Sequence, residues 1–207
     1  MEGLIYRSMR IGIFGGTFDP PHMGHLILAN EALHQIKLDR ILWLLTPIPP
    51  HKKQQNITTL VHRLDMVQMA IADNSGFELS RVDIDRPPPH YAVDTMALFR
   101  KQAPDGEFYY LMGLDSLNDL PDWHRPNDFV HLCKGIVVML REGEKVDLQN
   151  FDTLLPGLAA KVRFLKTPLF EISGSDIRKR AKLGKSFRYF VPEKVYQYIV
   201  SNCLYQA

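Results

Sequence analysis

Cysteine is almost missing from this chain: Cys133 and Cys203 are the only two among 207 residues. Two thiols cannot build the crosslinks of a small secreted scaffold. Neither C-x-x-C nor H-E-x-x-H occurs, so the pattern does not point to a zinc site, and the expected compartment is a reducing cytoplasm. Long hydrophobic runs are missing too. No apolar stretch approaches the roughly 18 residues that cross a bilayer, and residues 1–8 lack the apolar core of a signal peptide. Neither charge sign dominates: 25 Lys and Arg stand against 23 Asp and Glu, a formal net charge of +2. That balance gives no bulk electrostatic footprint for nucleic acid, yet it is compatible with a local cationic pocket. Internal repeats, low-complexity tracts, a Walker A loop and a G-x-G-x-x-G fingerprint are absent as well.

What the chain does contain is the composition of a globular domain: 45% hydrophobic, 10% aromatic and 23% charged residues. The length fits one domain over residues 10–207, with residues 1–9 as a short N-terminal extension. Short apolar runs alternate with helical patterns. Strands are predicted over Ile11–Phe14, Ile41–Leu45, Phe77–Val82, Glu107–Met112, Gly135–Leu140 and Val162–Leu165. Helices are predicted over Met23–Ile36, Thr59–Ala72, Ala92–Lys101, Gly174–Leu183 and Pro192–Asn202. This alternation predicts an α/β fold with a doubly wound, mainly parallel sheet and a C-terminal helical part. The run Ile41-Leu42-Trp43-Leu44-Leu45 is apolar throughout, as a strand covered on both faces should be. Ligands of such sheets bind beyond the carboxyl ends of the strands, near the topological switch point.

The most informative segment is Gly12-Ile13-Phe14-Gly15-Gly16-Thr17-Phe18-Asp19-Pro20-Pro21-His22-Met23-Gly24-His25. An apolar strand runs into a Gly-Gly turn, prolines punctuate the loop, and a helix begins near Met23. Two imidazoles three residues apart share one face of the first helical turn. The backbone N–H groups and the dipole of that turn favour a phosphate. Local physics alone leaves open a second reading, in which the turn serves tight βα packing and the histidines sit on the surface.

The core H-x-G-H resembles the signature of a nucleotidyltransferase superfamily. The longer G-G-T-F-D-P-x-H-x-G-H is similar to the nicotinate mononucleotide adenylyltransferase family, and every fixed position of it stands here. Further segments resemble that family in order. Pro49-Pro50-His51-Lys52 is similar to its P-P-H-K loop, and Tyr91-Ala92-Val93-Asp94-Thr95 to its Y-T-x-D-T segment. Gly113-Leu114-Asp115 with Trp123 resembles G-x-D…W. Ile172-Ser173-Gly174-Ser175-Asp176-Ile177-Arg178 resembles I-S-S-T-x-I-R, and Val191 to Ile199 fits V-P-x-x-V-x-x-Y-I. Four places depart from the pattern. Ala92 replaces a threonine, Pro87-Pro88-Pro89-His90 replaces a glycine- and serine-rich approach, Gly174 replaces a serine and Ser175 a threonine.

The resemblance implies a Rossmann-like fold and transfer of the adenylyl group of ATP to nicotinate mononucleotide, giving nicotinate adenine dinucleotide and pyrophosphate. It implies that His22, His25 and Arg178 act on the phosphates. Gly15, Gly16, Phe18, Gly113, Asp115, Ile172, Ser173 and Ser175 complete the ATP side. Gly16, Thr17, His51, Lys52, Thr95, Trp123 and His124 complete the mononucleotide side. Mg²⁺ is expected to arrive with ATP, bound mostly through phosphates and water. Neither a nucleic acid nor a membrane partner is expected, and the protein is expected as a monomer or homodimer. Two alternatives stay open on residues alone: an adenylyltransferase of the same superfamily acting on phosphopantetheine, and a nucleotide-binding regulator without activity. The choice between an acid and an amide mononucleotide leaves no trace in residue identity.

Overall fold

The computed structural model describes residues 8–47, 57–140, 146–167 and 171–206. In chain order the elements are β1 (Arg10–Gly16), α1 (Met23–Gln35), β2 (Arg40–Leu45), α2 (Leu60–Ile71), β3 (Phe77–Ser80), α3 (Ala92–Gln102), β4 (Glu107–Gly113), α4 (Leu114–Asn118), α5 (Pro126–Leu132), β5 (Gly135–Met139), α6 (Leu148–Leu154), α7 (Leu158–Lys161), β6 (Val162–Leu165), α8 (Gly174–Lys182) and α9 (Glu193–Ser201). The strands form one sheet in the order β3-β2-β1-β4-β5-β6, and every pairing is parallel. From β1 the chain winds outward through β2 and β3, then returns to start β4 on the other side of β1. The switch point therefore lies between the carboxyl ends of β1 and β4.

Period-two alternation sends the strand side chains into two cores. Ile11, Ile13, Leu42, Leu44 and Phe108 pack under α3 and α5 with Val93, Met96, Phe99 and Phe129. Phe14, Ile41, Trp43, Leu45 and Leu111 face α1 and α2 with Leu28, Ala29, Ala32 and Val67. Helices α1 and α3 thus cover opposite faces of the sheet. A third cluster of Met66, Ile177, Phe187, Val191, Val195 and Ile199 fastens α8 and α9 onto α2, which is the expected C-terminal helical part. Among the described residues no helix is long and apolar enough to cross a membrane.

The five predicted helices begin and end within a single residue of α1, α2, α3, α8 and α9. Strand β3 is shorter than predicted, stopping at Ser80 rather than Val82. There the chain turns: the Val82 N–H meets Ser80 Oγ at 3.4 Å and the Asp85 N–H donates to the Arg81 carbonyl at 2.9 Å. The short helices α4 to α7 were not predicted, because a helix of one or two turns shows too little apolar periodicity to be read.

Candidate active site

The loop from β1 to α1 is held from four directions. Phe18 has φ +48°, a left-handed conformation uncommon outside glycine, and its buried ring wedges among Phe14, Trp43 and His25. The buried Asp19 carboxylate accepts the Tyr205 hydroxyl at 2.7 Å and the Thr58 N–H at 3.2 Å. The Asp19 carbonyl accepts from Arg178 Nη1 at 2.7 Å. Arg63 of α2, only 2% exposed, donates to the carbonyls of Thr17 (3.0 Å), Thr46 (2.9 Å), Pro47 (2.8 Å) and Thr58 (2.9 Å). One guanidinium thereby joins the chain leaving β1 to the chain leaving β2. Burial lowers its pKa, and the charge of Asp19 opposes that shift.

His22 caps α1 in an extended conformation (φ −142°, ψ 170°), and its backbone N–H donates to His25 Nδ1 at 3.2 Å. His25 occupies the third helical position, where a side-chain acceptor can reach back to the cap. A backbone N–H can only donate, so Nδ1 of His25 is unprotonated and Nε2 carries the ring proton. The two imidazoles stack with centroids 3.7 Å apart at 27°. Gly24 makes this possible: a Cβ there would stand 3.1 Å from His22 Nδ1 and 3.2 Å from Cε1, forcing the ring aside. The His22 ring is buried and its Nδ1 has no hydrogen-bond partner.

Burial pushes the His22 pKa down to about 4, so the ring is neutral near pH 7. The sign of the linkage follows. In the unfolded chain the same ring titrates near its ordinary value of 6.5. Above that pH it is neutral in both states and costs nothing. As pH falls from about 6.5 towards about 4, the unfolded chain binds the proton and the folded chain resists it, so stability falls. The full effect is on the order of 3 kcal/mol. His22→Gln should flatten thermal stability across that window. Identical slopes for the variant and the wild type would show that His22 is not the group responsible.

A cavity of about 860 Å³ opens over the carboxyl edge of the sheet at the switch point. It spans from the N-terminus of α1 on one face to the N-terminus of α3 on the other. Gly15, Gly16 and Thr17 leave β1 along its floor, and Gly113 and Asp115 leave β4. His22 and His25 form one wall, the Ile172-Ser173-Gly174 approach to α8 closes it, and Trp123 and His124 lie on the far side. His124 stacks on Tyr91 at 4.1 Å and 24°, and Trp123 packs on Phe129 at 5.2 Å. The cavity therefore joins an imidazole-lined helix start to a cluster of aromatic rings.

Several expected site residues stand elsewhere. Thr95 is fully buried and does not reach the cavity. Its hydroxyl donates to Asp83 Oδ1 at 2.7 Å and accepts from Arg86 Nη2 at 3.0 Å, one helical turn below Ala92, which does line the cavity. Phe18 supports the histidine wall from beneath instead of forming it. Ser175 and Arg178 lie just outside: Arg178 Nη1 comes within 3.4 Å of the point where a Gly174 Cβ would sit, and its Nη2 is 3.4 Å from Ser175 Oγ. That Cβ would also be 3.1 Å from the Asp19 carbonyl, a physical reason for glycine where the resembling pattern has serine. Of the two candidate caps for α8, Ser173 does the capping, accepting the Asp176 N–H at 3.1 Å. His51 and Lys52 lie outside the described residues.

The family model for cytidylyltransferase-like proteins matches residues 13–180. A Thermomicrobium roseum protein named as a probable nicotinate-nucleotide adenylyltransferase is 45% identical over 198 residues, covering 96% of this chain and 92% of its own. The nicotinate-nucleotide adenylyltransferase of Bacillus subtilis is 39% identical over 198 residues, covering 96% of this chain and 99% of its own. The chain belongs to the nicotinate-nucleotide adenylyltransferase family. The fold agrees with that membership. The Plasmodium falciparum nicotinic acid mononucleotide adenylyltransferase, in structures complexed with APC and with NaAD, superimposes with TM-scores of 0.75 and 0.77. Identity there is 20%, with 95% of this chain and 97% of the other covered, and the likeness is one of fold. In this adenylyltransferase the sequence reading missed Asp19, Arg63 and Tyr205 as the supports of the signature loop. Arg63 left a signal: it falls on the apolar stripe of α2 with Leu60, Leu64 and Val67, where an unpaired charge would be costly.

Proposed function

We propose that this protein transfers the adenylyl group of ATP to nicotinate mononucleotide, giving nicotinate adenine dinucleotide and pyrophosphate in the cytoplasmic synthesis of NAD. The observation that carries this reading is a single cavity with stacked imidazoles at a helix N-terminus and aromatic rings across from them. Its volume suits two nucleotides brought end to end. An oxygen of the mononucleotide phosphate attacks the α-phosphorus of ATP, one P–O bond forms, the bond to the β-phosphate breaks, and pyrophosphate leaves. The attacking oxygen is already anionic, so no protein nucleophile is required. What remains is positioning and stabilising charge on the phosphoryl oxygens.

In this reading His25 donates from Nε2 to a phosphoryl oxygen, since its Nδ1 is committed to the loop. His22, neutral before substrate arrives, adds a second imidazole at the same helix start. Arg178 serves the β- and γ-phosphates; a guanidinium has five N–H donors, more than its contacts to Asp19 and Ser175 use. Gly113 and Asp115 take the adenosine ribose, Ile172 borders adenine, and Trp123 and His124 take the pyridine ring. Mg²⁺, brought by ATP, would supply neutralisation of phosphate charge and would be held mainly through the substrate and water.

The test is side-by-side turnover of nicotinate mononucleotide, nicotinamide mononucleotide and phosphopantetheine with ATP and Mg²⁺, read as pyrophosphate release. Turnover of the pyridine mononucleotides and not of phosphopantetheine is expected. Release with phosphopantetheine alone, or with none of the three, overturns the reading. Arg178→Ala should raise the KM for ATP by about 10- to 100-fold, the worth of a charged hydrogen bond, and change the KM for the mononucleotide far less. The reverse pattern would mean that the two substrates lie the other way round.

A further inference from the structure

The segment before α3 carries an imidazole that the adenylyl transfer chemistry does not use. His90 lines the cavity together with Tyr91, Ala92, Trp123 and His124, yet it is only 7% exposed. Its Nδ1 is out of solvent reach and has no hydrogen-bond partner. Buried polar nitrogens are seldom left in that state, and each case calls for an explanation.

The backbone on both sides of this histidine is fixed. Arg86 donates to the carbonyl of Pro89 at 2.7 Å and to that of Tyr91 at 3.4 Å. The same guanidinium is anchored on Asp83 Oδ1 at 2.8 Å and on Thr95 Oγ1 at 3.0 Å, and Thr95 in turn donates to Asp83. The network spends its charges inward: Asp83 and the Arg86 side chain are both largely buried and paired with each other. It holds the His90 loop rigid and offers the cavity no cation of its own. Among the polar groups that line the cavity with the aromatic rings are the imidazole of His90 and the carboxylate of Asp122.

We infer that His90 is a specificity-determining residue for the acceptor, hydrogen-bonding the 3-carboxylate of the pyridine ring and setting the preference for the acid over the amide mononucleotide. The inference rests on the reading of the acceptor as a pyridine mononucleotide. Both mononucleotides carry the same cationic ring, which the face of Trp123 can stack on and attract, so the ring itself does not discriminate. The 3-substituent does: a carboxylate only accepts, and an imidazole N–H is the matching donor. Burial lowers the His90 pKa, with Asp83 opposing the shift and Arg86 adding to it. Asp122 works the other way, as it would repel a carboxylate and accept from an amide NH₂.

The experiment measures kcat/KM for nicotinate and nicotinamide mononucleotides, at saturating ATP and Mg²⁺, in wild type, His90→Ala and His90→Gln. The acid-to-amide ratio should fall about 10- to 100-fold in His90→Ala, while the KM for ATP stays at the wild-type value. His90→Gln keeps a donor in a similar volume and should recover part of the ratio; should the alanine variant fail to fold, a glutamine variant with a lowered ratio decides in its place. A wild type active on the acid whose ratio survives both substitutions overturns the assignment of His90 alone. Equal losses on both mononucleotides also overturn it, since they would mark a purely structural residue. A wild type that turns over neither overturns the acceptor reading itself and this inference with it.

Discussion

Replacing His25 by alanine should lower kcat by about 10²- to 10³-fold, the usual cost of removing one preorganised donor from a developing oxyanion. His25 also supports the loop, because its Nδ1 accepts the His22 N–H and its ring lies against Phe18 at 5.0 Å. His25→Gln separates the two roles. Glutamine at the third helical position can still reach back to the cap N–H but brings no imidazole. It should therefore keep the thermal stability that alanine partly loses, and show the same large fall in kcat. A glutamine variant with wild-type kcat would mean that the imidazole serves the loop and not the reaction.

The second large effect is on stability. Arg63→Met should destabilise the fold by on the order of 3–5 kcal/mol, since it strips the donors from several buried carbonyls at once. The cost has two parts. The carbonyls of Thr17, Thr46, Pro47 and Thr58 lose their donor, and the Asp19 carboxylate loses a compensating charge. Lysine does not repair the loss, since a point-like ammonium cannot reproduce the planar fork that meets these carbonyls. Urea unfolding measures the effect, and the midpoint should move with little change in slope. Because Thr17 and Thr46 line the cavity, the folded fraction should also bind its substrates more weakly. A loss no greater than that of a surface substitution, about 0.5 kcal/mol, would show that water replaces the guanidinium at no cost.

The order of strands and helices was legible because it is written in local terms. Apolar runs of strand length, 3.6-residue periodicity and Gly-Gly or Pro-Pro breaks lie close together in the chain, and neighbours set them. The signature from Gly12 to His25 was legible for the same reason: turn, cap and imidazole spacing belong to one short segment. Alternation implied a parallel sheet with its ligand beyond the carboxyl ends of the strands; that β1 and β4 meet at the switch point, with Gly15, Gly16, Gly113 and Asp115 on the cavity floor, came from the strand order.

Three-dimensional packing decided what the local pattern could not. Tyr205 reaches Asp19 across 186 residues, and Arg63 reaches Thr17 across 46, so no window of sequence contains either contact. Thr95 and His90 belong to one short segment, yet which of them faces the cavity depends on where Asp83 and Arg86 fold back beneath α3. Sequence by itself determined the sheet, the loop and the pair of imidazoles. Tertiary structure alone chose which polar groups are spent on one another and which are turned towards a ligand, because a buried hydrogen bond is fixed by distance in space and not by distance along the chain.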